Sequence, residues 1–198
     1  MNILTGFFVM LPKQQFYQPI NTTMKKKIFP FLSGILLFSM FSCGQTEIVT
    51  NTVPELDIER YMGSWYEIAR FDHRFERGLV GCMANYELQP DGKVKVTNTG
   101  YKNSLDGKFK ESVGKAYRPD DEVPGKLRVS FFMSFYSDYN VLELSPDYRY
   151  ALIGSKSSEY LWILSRTPEM SHEDLDFLLN SAKARGYDTD KLIWVEQR

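Results

Sequence analysis

The chain has 198 residues, with 24 basic against 25 acidic side chains, 43% hydrophobic and 15% aromatic residues, and two cysteines, Cys43 and Cys82. That composition excludes a disordered chain, and the near-neutral balance excludes a nucleic-acid binder, whose phosphate contacts need a basic excess. The length suits a single domain with a full core, and two cysteines suggest one disulfide until the context of Cys43 is read.

Lys25-Lys26-Lys27 precede a mostly apolar run from Ile28 to Phe41, 14 residues long, that ends in Ser42-Cys43. About 20 residues are needed to cross a bilayer, so this run is too short to span one. A basic start, a short apolar stretch and a small residue at its end make a secretory signal peptide over residues 1–42. Met24 stands directly before the lysines and is the expected start of translation; Ile3 to Leu11 is a second, weaker apolar stretch. Ser39-Met40-Phe41-Ser42-Cys43-Gly44 resembles the lipobox of bacterial lipoproteins, with small Ser42 at −1 and apolar Met40 at −3, although Phe41 is bulky for −2. The resemblance implies acylation of Cys43, a lipid anchor, and, with Gly44 rather than Asp after it, sorting to the cell outer membrane. Cys82 is then left without a disulfide partner. Residues 1–42 carry Lys13, Lys25, Lys26 and Lys27 and no acid, so their removal leaves 20 basic against 25 acidic side chains, a net of −5.

Residues 43–53 are polar and Thr-rich and read as the lipidated cysteine and a tether; the domain runs over 54–198. Alternation is visible at Val94 and Val96, at Leu127, Val129 and Phe131, and at Tyr160, Trp162 and Leu164. Pro90-Asp91-Gly92, Asp106-Gly107, Pro119-Asp120-Asp121, Pro124-Gly125 and Ser145-Pro146-Asp147 cut the stretch to Arg166 into about eight short runs. Gaps this short leave no room for crossover helices, so the sheet is antiparallel, either a sandwich or an up-and-down barrel. Ser171-His172-Glu173-Asp174 has capping-box spacing, and Leu175, Leu178, Leu179 and Ala182 follow as one apolar stripe, which predicts a helix docked outside the sheet. Gly186 stops it, and Leu192-Ile193-Trp194-Val195 reads as a last strand.

Catalytic and metal patterns are thin. His73 and His172 are the only histidines, without CxxC or HExxH spacing nearby, and no GxSxG, P-loop or GxGxxG occurs, so neither a metal nor a cofactor is expected. Asp72-His73 pairs a carboxylate with an imidazole but lacks a nucleophile and reads as part of a polar loop from Phe71 to Gly78. An enzyme acting on a barrel-bound lipid would need a nucleophile or base in the cup, and Cys82 and Glu143 have suitable strand parity.

Three stretches stand out: Gly63-Ser64-Trp65-Tyr66-Glu67-Ile68-Ala69-Arg70, Asp147-Tyr148-Arg149, and Leu161-Trp162-Ile163-Leu164-Ser165-Arg166-Thr167-Pro168. Together they resemble the three conserved regions of the lipocalin family, with a close likeness to bacterial outer-membrane lipoprotein lipocalins over about residues 55–196. The resemblance implies an all-β fold: an eight-stranded antiparallel up-and-down barrel with a C-terminal helix docked outside and a short final strand. It also implies that Gly63, Trp65, Asp147, Tyr148 and Arg166 are structural, with Arg166 lying across Trp65 at the closed end. A planar guanidinium over an indole face gives about 0.5–2 kcal/mol and shields the barrel bottom from water.

A barrel of eight strands encloses one small ligand. Inward parity nominates Tyr86, Phe131, Tyr139 and Trp162 as ligand-binding, and places Ala69 inward if Trp65 is; ordinary core packing is the alternative role for each. Leu161 and Ile163 are expected to face the helix. Such a cup suits a fatty acid, lysophospholipid or other phospholipid-derived chain, stored or transported in the cell envelope; a structural envelope protein with an incidental cavity is a further alternative. The unbroken run Phe131-Phe132-Met133-Ser134-Phe135-Tyr136 reads as a rim of the barrel mouth, a homodimer patch, a membrane-touching loop, or packing buried under a neighbouring loop.

Overall fold

The computed structural model describes residues 47–198; the expected signal peptide and the acylation of Cys43 fall outside those residues. Eight strands follow one another: β1 (Gly63–Phe71), β2 (Leu79–Leu88), β3 (Val94–Lys102), β4 (Phe109–Tyr117), β5 (Lys126–Phe132), β6 (Phe135–Leu144), β7 (Tyr150–Gly154) and β8 (Leu161–Ser165). Each pairs antiparallel with the next, and β1 pairs with both β8 and β2, so the sheet closes on itself. Four of the seven connections, β2–β3, β3–β4, β4–β5 and β6–β7, are those marked by clusters of Pro, Asp and Gly, whereas β1–β2, β5–β6 and β7–β8 carry no such cluster. In Pro90-Asp91-Gly92 the amide of Lys93 donates to the Asp91 carboxylate, and Gly92 takes a φ of +77° that a side chain would strain.

One end is plugged by α1 (Ile58–Tyr61), whose N-cap Asp57 accepts from the amides of Glu59 and Arg60. Helix α2 (His172–Ala184) begins as the sequence predicts, with the Ser171 hydroxyl accepting from the Asp174 amide at 3.1 Å. Asp174 reaches back to the Ser171 hydroxyl rather than to its backbone. The stripe is seated on the outer wall: Leu178 and Ala182 are fully buried against Leu142, Leu152, Leu161 and Ile163. Burying a leucine this way is worth about 1.5–3 kcal/mol. Strand β9 (Leu192–Trp194) pairs with Ala69–Phe71 of β1.

The apolar residues divide into an inner set, which includes Trp65, Tyr86, Val96, Leu127, Ile153 and Leu164, and the outer set under α2. Bulges in β1 between Glu67 and Ala69 and in β6 between Val141 and Glu143 exchange the faces within a strand. They overturn two expectations. Ala69 does not share the inner face with Trp65: it lies opposite Ile163 in the outer set, while Glu67, opposite Leu164, points in. Glu143 is not in the cup: it pairs opposite Leu152 and its carboxylate accepts from Ser181 and Arg185 on the helix side.

Two joins in the wall differ in their upper half, the half near the β1–β2, β3–β4, β5–β6 and β7–β8 loops. Strand β2 leaves β1 after Tyr66, and the C-terminal residues fill the split, with the Gly81 amide on the Glu196 carbonyl and the Gln197 amide on the carbonyls of Glu67 and Cys82. Strand β4 pairs with β3 at eight positions but with β5 only at Lys115, Ala116 and Tyr117, so residues 109–114 have no β5 partner.

Candidate functional site

At the closed end, Arg166 lies with its guanidinium carbon 3.9 Å from the Trp65 ring centroid. It donates to the carbonyls of Ser64 (2.9 Å), Arg60 (2.9 Å), Tyr61 (3.2 Å) and Tyr148 (3.3 Å). Trp65 is fully buried and its indole N–H donates to the Tyr61 carbonyl. Gly63 has φ +90°, a conformation that a side chain would strain, so the opening glycine gives the turn that starts the strand beside Arg166. Tyr148, at φ +60°, accepts from the Asp57 amide through its hydroxyl and lies under Arg60; Asp147 pairs with Arg149. Hydrogen bonding from Ser145 and Arg149 holds the Asp147 carboxyl below its usual range.

Above this seal lies a cavity of about 80 Å³ lined by all four parity-nominated residues, Tyr86, Phe131, Tyr139 and Trp162, with Val96, Val129, Ile153, Leu164 and Ala84. Its lower end narrows to a pocket of about 10 Å³ behind the hydroxyls of Tyr61, Tyr139 and Tyr86, which touch in sequence at 2.7 and 2.9 Å. Burial raises all three phenols, so they are neutral donors at any physiological pH. Cys82 also lines the cavity as a free thiol among the described residues, and burial pushes it up to about 12.

The upper wall holds a polar group that sequence reasoning missed. Arg70 is 2% exposed; it donates to Glu67 at 2.5 Å and to the carbonyls of Glu76 and Leu79. Glu76, on the β1–β2 loop, turns inward to accept from the Trp162 indole at 3.1 Å and stands 2.9 Å from the His73 Nε2. The imidazole is out of line for a well-formed hydrogen bond there. His73 packs edge-on to Trp162 at 5.2 Å, so the loop read as merely polar carries part of the cavity roof. One guanidinium cannot neutralise two buried carboxylates. Burial, reinforced by the Glu76 charge, pushes the Glu67 carboxyl up to about 8. Burial alone would raise Glu76 as well, but His73, Trp162 and Arg70 hold it low and charged. Asn98 Oδ1 is buried on the cavity wall without a partner. Glu67 was within reach of sequence reasoning, since it is two residues beyond Trp65; Glu76 was not, because nothing in a loop's pattern says which side chain turns in.

At the open end Phe131 (41% exposed), Phe132 (68%), Met133 (72%) and Phe135 (75%) project from the β5–β6 turn, which rules out packing buried beneath a neighbouring loop. Lys110 sits opposite Gly100, whose missing Cβ would meet the Cys82 sulfur at 3.1 Å, so it occupies an inward position at the mouth.

A closed antiparallel barrel, sealed by an arginine over a tryptophan, open at its other end and braced by one external helix, defines a cup-shaped carrier of small apolar molecules. The chain belongs to the lipocalin family: the Lipocalin-like domain matches residues 56–197. It is 49% identical over 145 residues to the outer membrane lipoprotein Blc of Escherichia coli K12, covering 73% of this chain and 81% of that protein. It is 42% identical over 174 residues to the outer membrane lipoprotein Blc of Vibrio cholerae, covering 87% and 99%. Apolipoprotein D of Macaca fascicularis is 34% identical over 149 residues, covering 71% and 77%. Among solved structures, insecticyanin of Manduca sexta superposes with a TM-score of 0.62 at 20% identity, covering 76% of this chain and 85% of that one, a likeness of fold alone.

Proposed function

We propose that this lipocalin is a lipid-anchored protein of the bacterial outer membrane that holds a fatty acid, lysophospholipid or similar lipid in its barrel, for storage or transport within the envelope, without catalysing a reaction. The observation that carries this reading is the cavity walled by Tyr86, Phe131, Tyr139 and Trp162 and reaching the open end at Phe131. The lipobox-like Ser42-Cys43 and the names of the bacterial relatives support the anchor and the location. Each methylene that leaves water supplies ~0.8 kcal/mol before association costs, so an apolar wall can hold an acyl chain without a buried ion pair to the ligand. The tail descends toward the tyrosine hydroxyls, and an anionic head meets Lys110 at the mouth.

The enzyme reading is the weaker one, because Glu143 faces the helix and the Cys82 thiol, pushed up to about 12, is not a thiolate nucleophile. The test is native mass spectrometry of the purified full chain, followed by titration of the delipidated protein with fatty acids and lysophospholipids while tryptophan emission is recorded. Co-purified lipid and a saturable emission change are expected. No bound lipid and a flat titration with every class would overturn the reading, as would turnover of the lipid that is lost in Cys82→Ser.

A further inference from the structure

From the chemistry of the open end we infer that this face is itself a membrane-docking surface, which lays the barrel mouth against an anionic bilayer through Phe75, Phe132, Met133 and Phe135. These four are 68–75% exposed and all belong to loops or strand ends at the mouth. Phe132 and Phe135 stack at 6.3 Å, making a flat paired wedge rather than scattered single residues. Exposed apolar side chains gathered at one place on a surface mark an interaction site, and aromatic rings suit the interface between headgroups and acyl chains.

Charge at this end is balanced, while the body is acidic. The exposed Arg74, Arg77, Lys102, Lys108, Lys110, Lys156, Lys191 and Arg198 stand against Glu47, Asp72, Asp106, Glu111, Glu159, Asp188, Asp190 and Glu196. Residues 43–198 as a whole carry 20 basic against 25 acidic side chains. This face therefore lacks the net negative charge with which the rest of the body would repel an anionic bilayer.

Chain geometry points the same way. The Val49 amide donates to the Arg185 carbonyl at the C-terminal end of α2, and Tyr187, just beyond it, bonds to the Ser155 carbonyl at the upper end of β7. From Val49 the chain descends, through Val53 on Val141, to the plug at the closed end. Glu47 therefore lies on the open-end side, and Cys43, four residues before it, is within about 14 Å of it even if fully extended. This orientation rests on the lipid-anchor reading; the surface itself does not, and the mouth that faces the bilayer is the one through which Phe131 reaches the cavity.

The experiment uses the mature chain, residues 43–198, carrying Cys43→Ser, so that neither the apolar run 28–41 nor an acyl anchor contributes, and follows flotation with vesicles of phosphatidylethanolamine and phosphatidylglycerol. The unacylated protein is expected to float. Replacing Phe132, Met133 and Phe135 together by Ser should lower the partition coefficient at least roughly tenfold while lipid titration of the cavity is unchanged. Phe177→Ser, a half-exposed site on the outer helix, is expected to float like its parent. Failure of the unacylated parent to float, equal flotation of the triple variant, or a rim-dependent dimer that ignores vesicles would each overturn the inference. Each outcome is read separately from cavity binding, so a protein that binds lipid but never floats refutes the docking surface and leaves the proposed function standing.

Discussion

The two ends of the barrel are built on opposite economies of polar groups. At the closed end most donors are committed: Arg166 spans four carbonyls and an indole face and Trp65 is tied to Tyr61, with Arg118 Nε the buried exception. At the open end Asn98 Oδ1 and Arg70 Nε are buried without partners, and two carboxylates share one guanidinium. Commitment makes a rigid base, and spare hydrogen-bonding capacity is what a ligand uses. The difference places stability in one half and recognition in the other.

The comparison breaks first at the base. Arg166→Ala leaves several sheltered carbonyls unpaired and strips the indole cover, so urea unfolding should show a loss of about 3 kcal/mol, with lipid affinity of the folded protein unchanged. A drop in affinity without loss of stability would put recognition at the wrong end.

Next in size is a pH effect at the top. The folded Glu67 carboxyl titrates above its ordinary 4.5, so the native state favours the protonated form. That contribution is present in full below pH 4.5 and is lost as pH rises toward 8. Wild type should lose stability steadily between pH 5 and 8 from this group, and Glu67→Gln should flatten the slope of the urea midpoint across that window.

Trp162→Ala removes a cavity wall and the donor that holds Glu76, and should weaken lipid binding roughly tenfold or more. It should also abolish the emission response, because Trp65 is sealed below and Trp194 stands on the outer wall. The smallest effect sharpens the enzyme question. Glu143→Ala cuts bonds to Ser181 and Arg185 and should cost about 1 kcal/mol in unfolding experiments, with no change in lipid titration.

Alternation carried the sequence reading far. The eight runs, the Ser171 cap, the burial of Leu161 and Ile163 under α2 and the convergence of Tyr86, Phe131, Tyr139 and Trp162 all follow from period two or period 3.6. Parity failed at Ala69 and Glu143 because a bulge inserts one residue and inverts every side chain beyond it, and no residue type marks that insertion in advance. The Arg70–Glu67–Glu76–His73 group was illegible for a second reason. It joins two strand residues to two from a loop, and tertiary packing alone decides that Glu76 turns inward while Asp72 pairs with Arg77 outside.

The two joins in the upper wall have unlike mechanical fates. The split between β1 and β2 is sewn shut by the last residues of the chain, while residues 109–114 of β4 have ladder partners on β3 alone. A hoop with one unsewn join is weakest there, so the rungs at Lys115–Tyr117 mark the level above which the wall has fewest bonds to break and below which the ring is continuous.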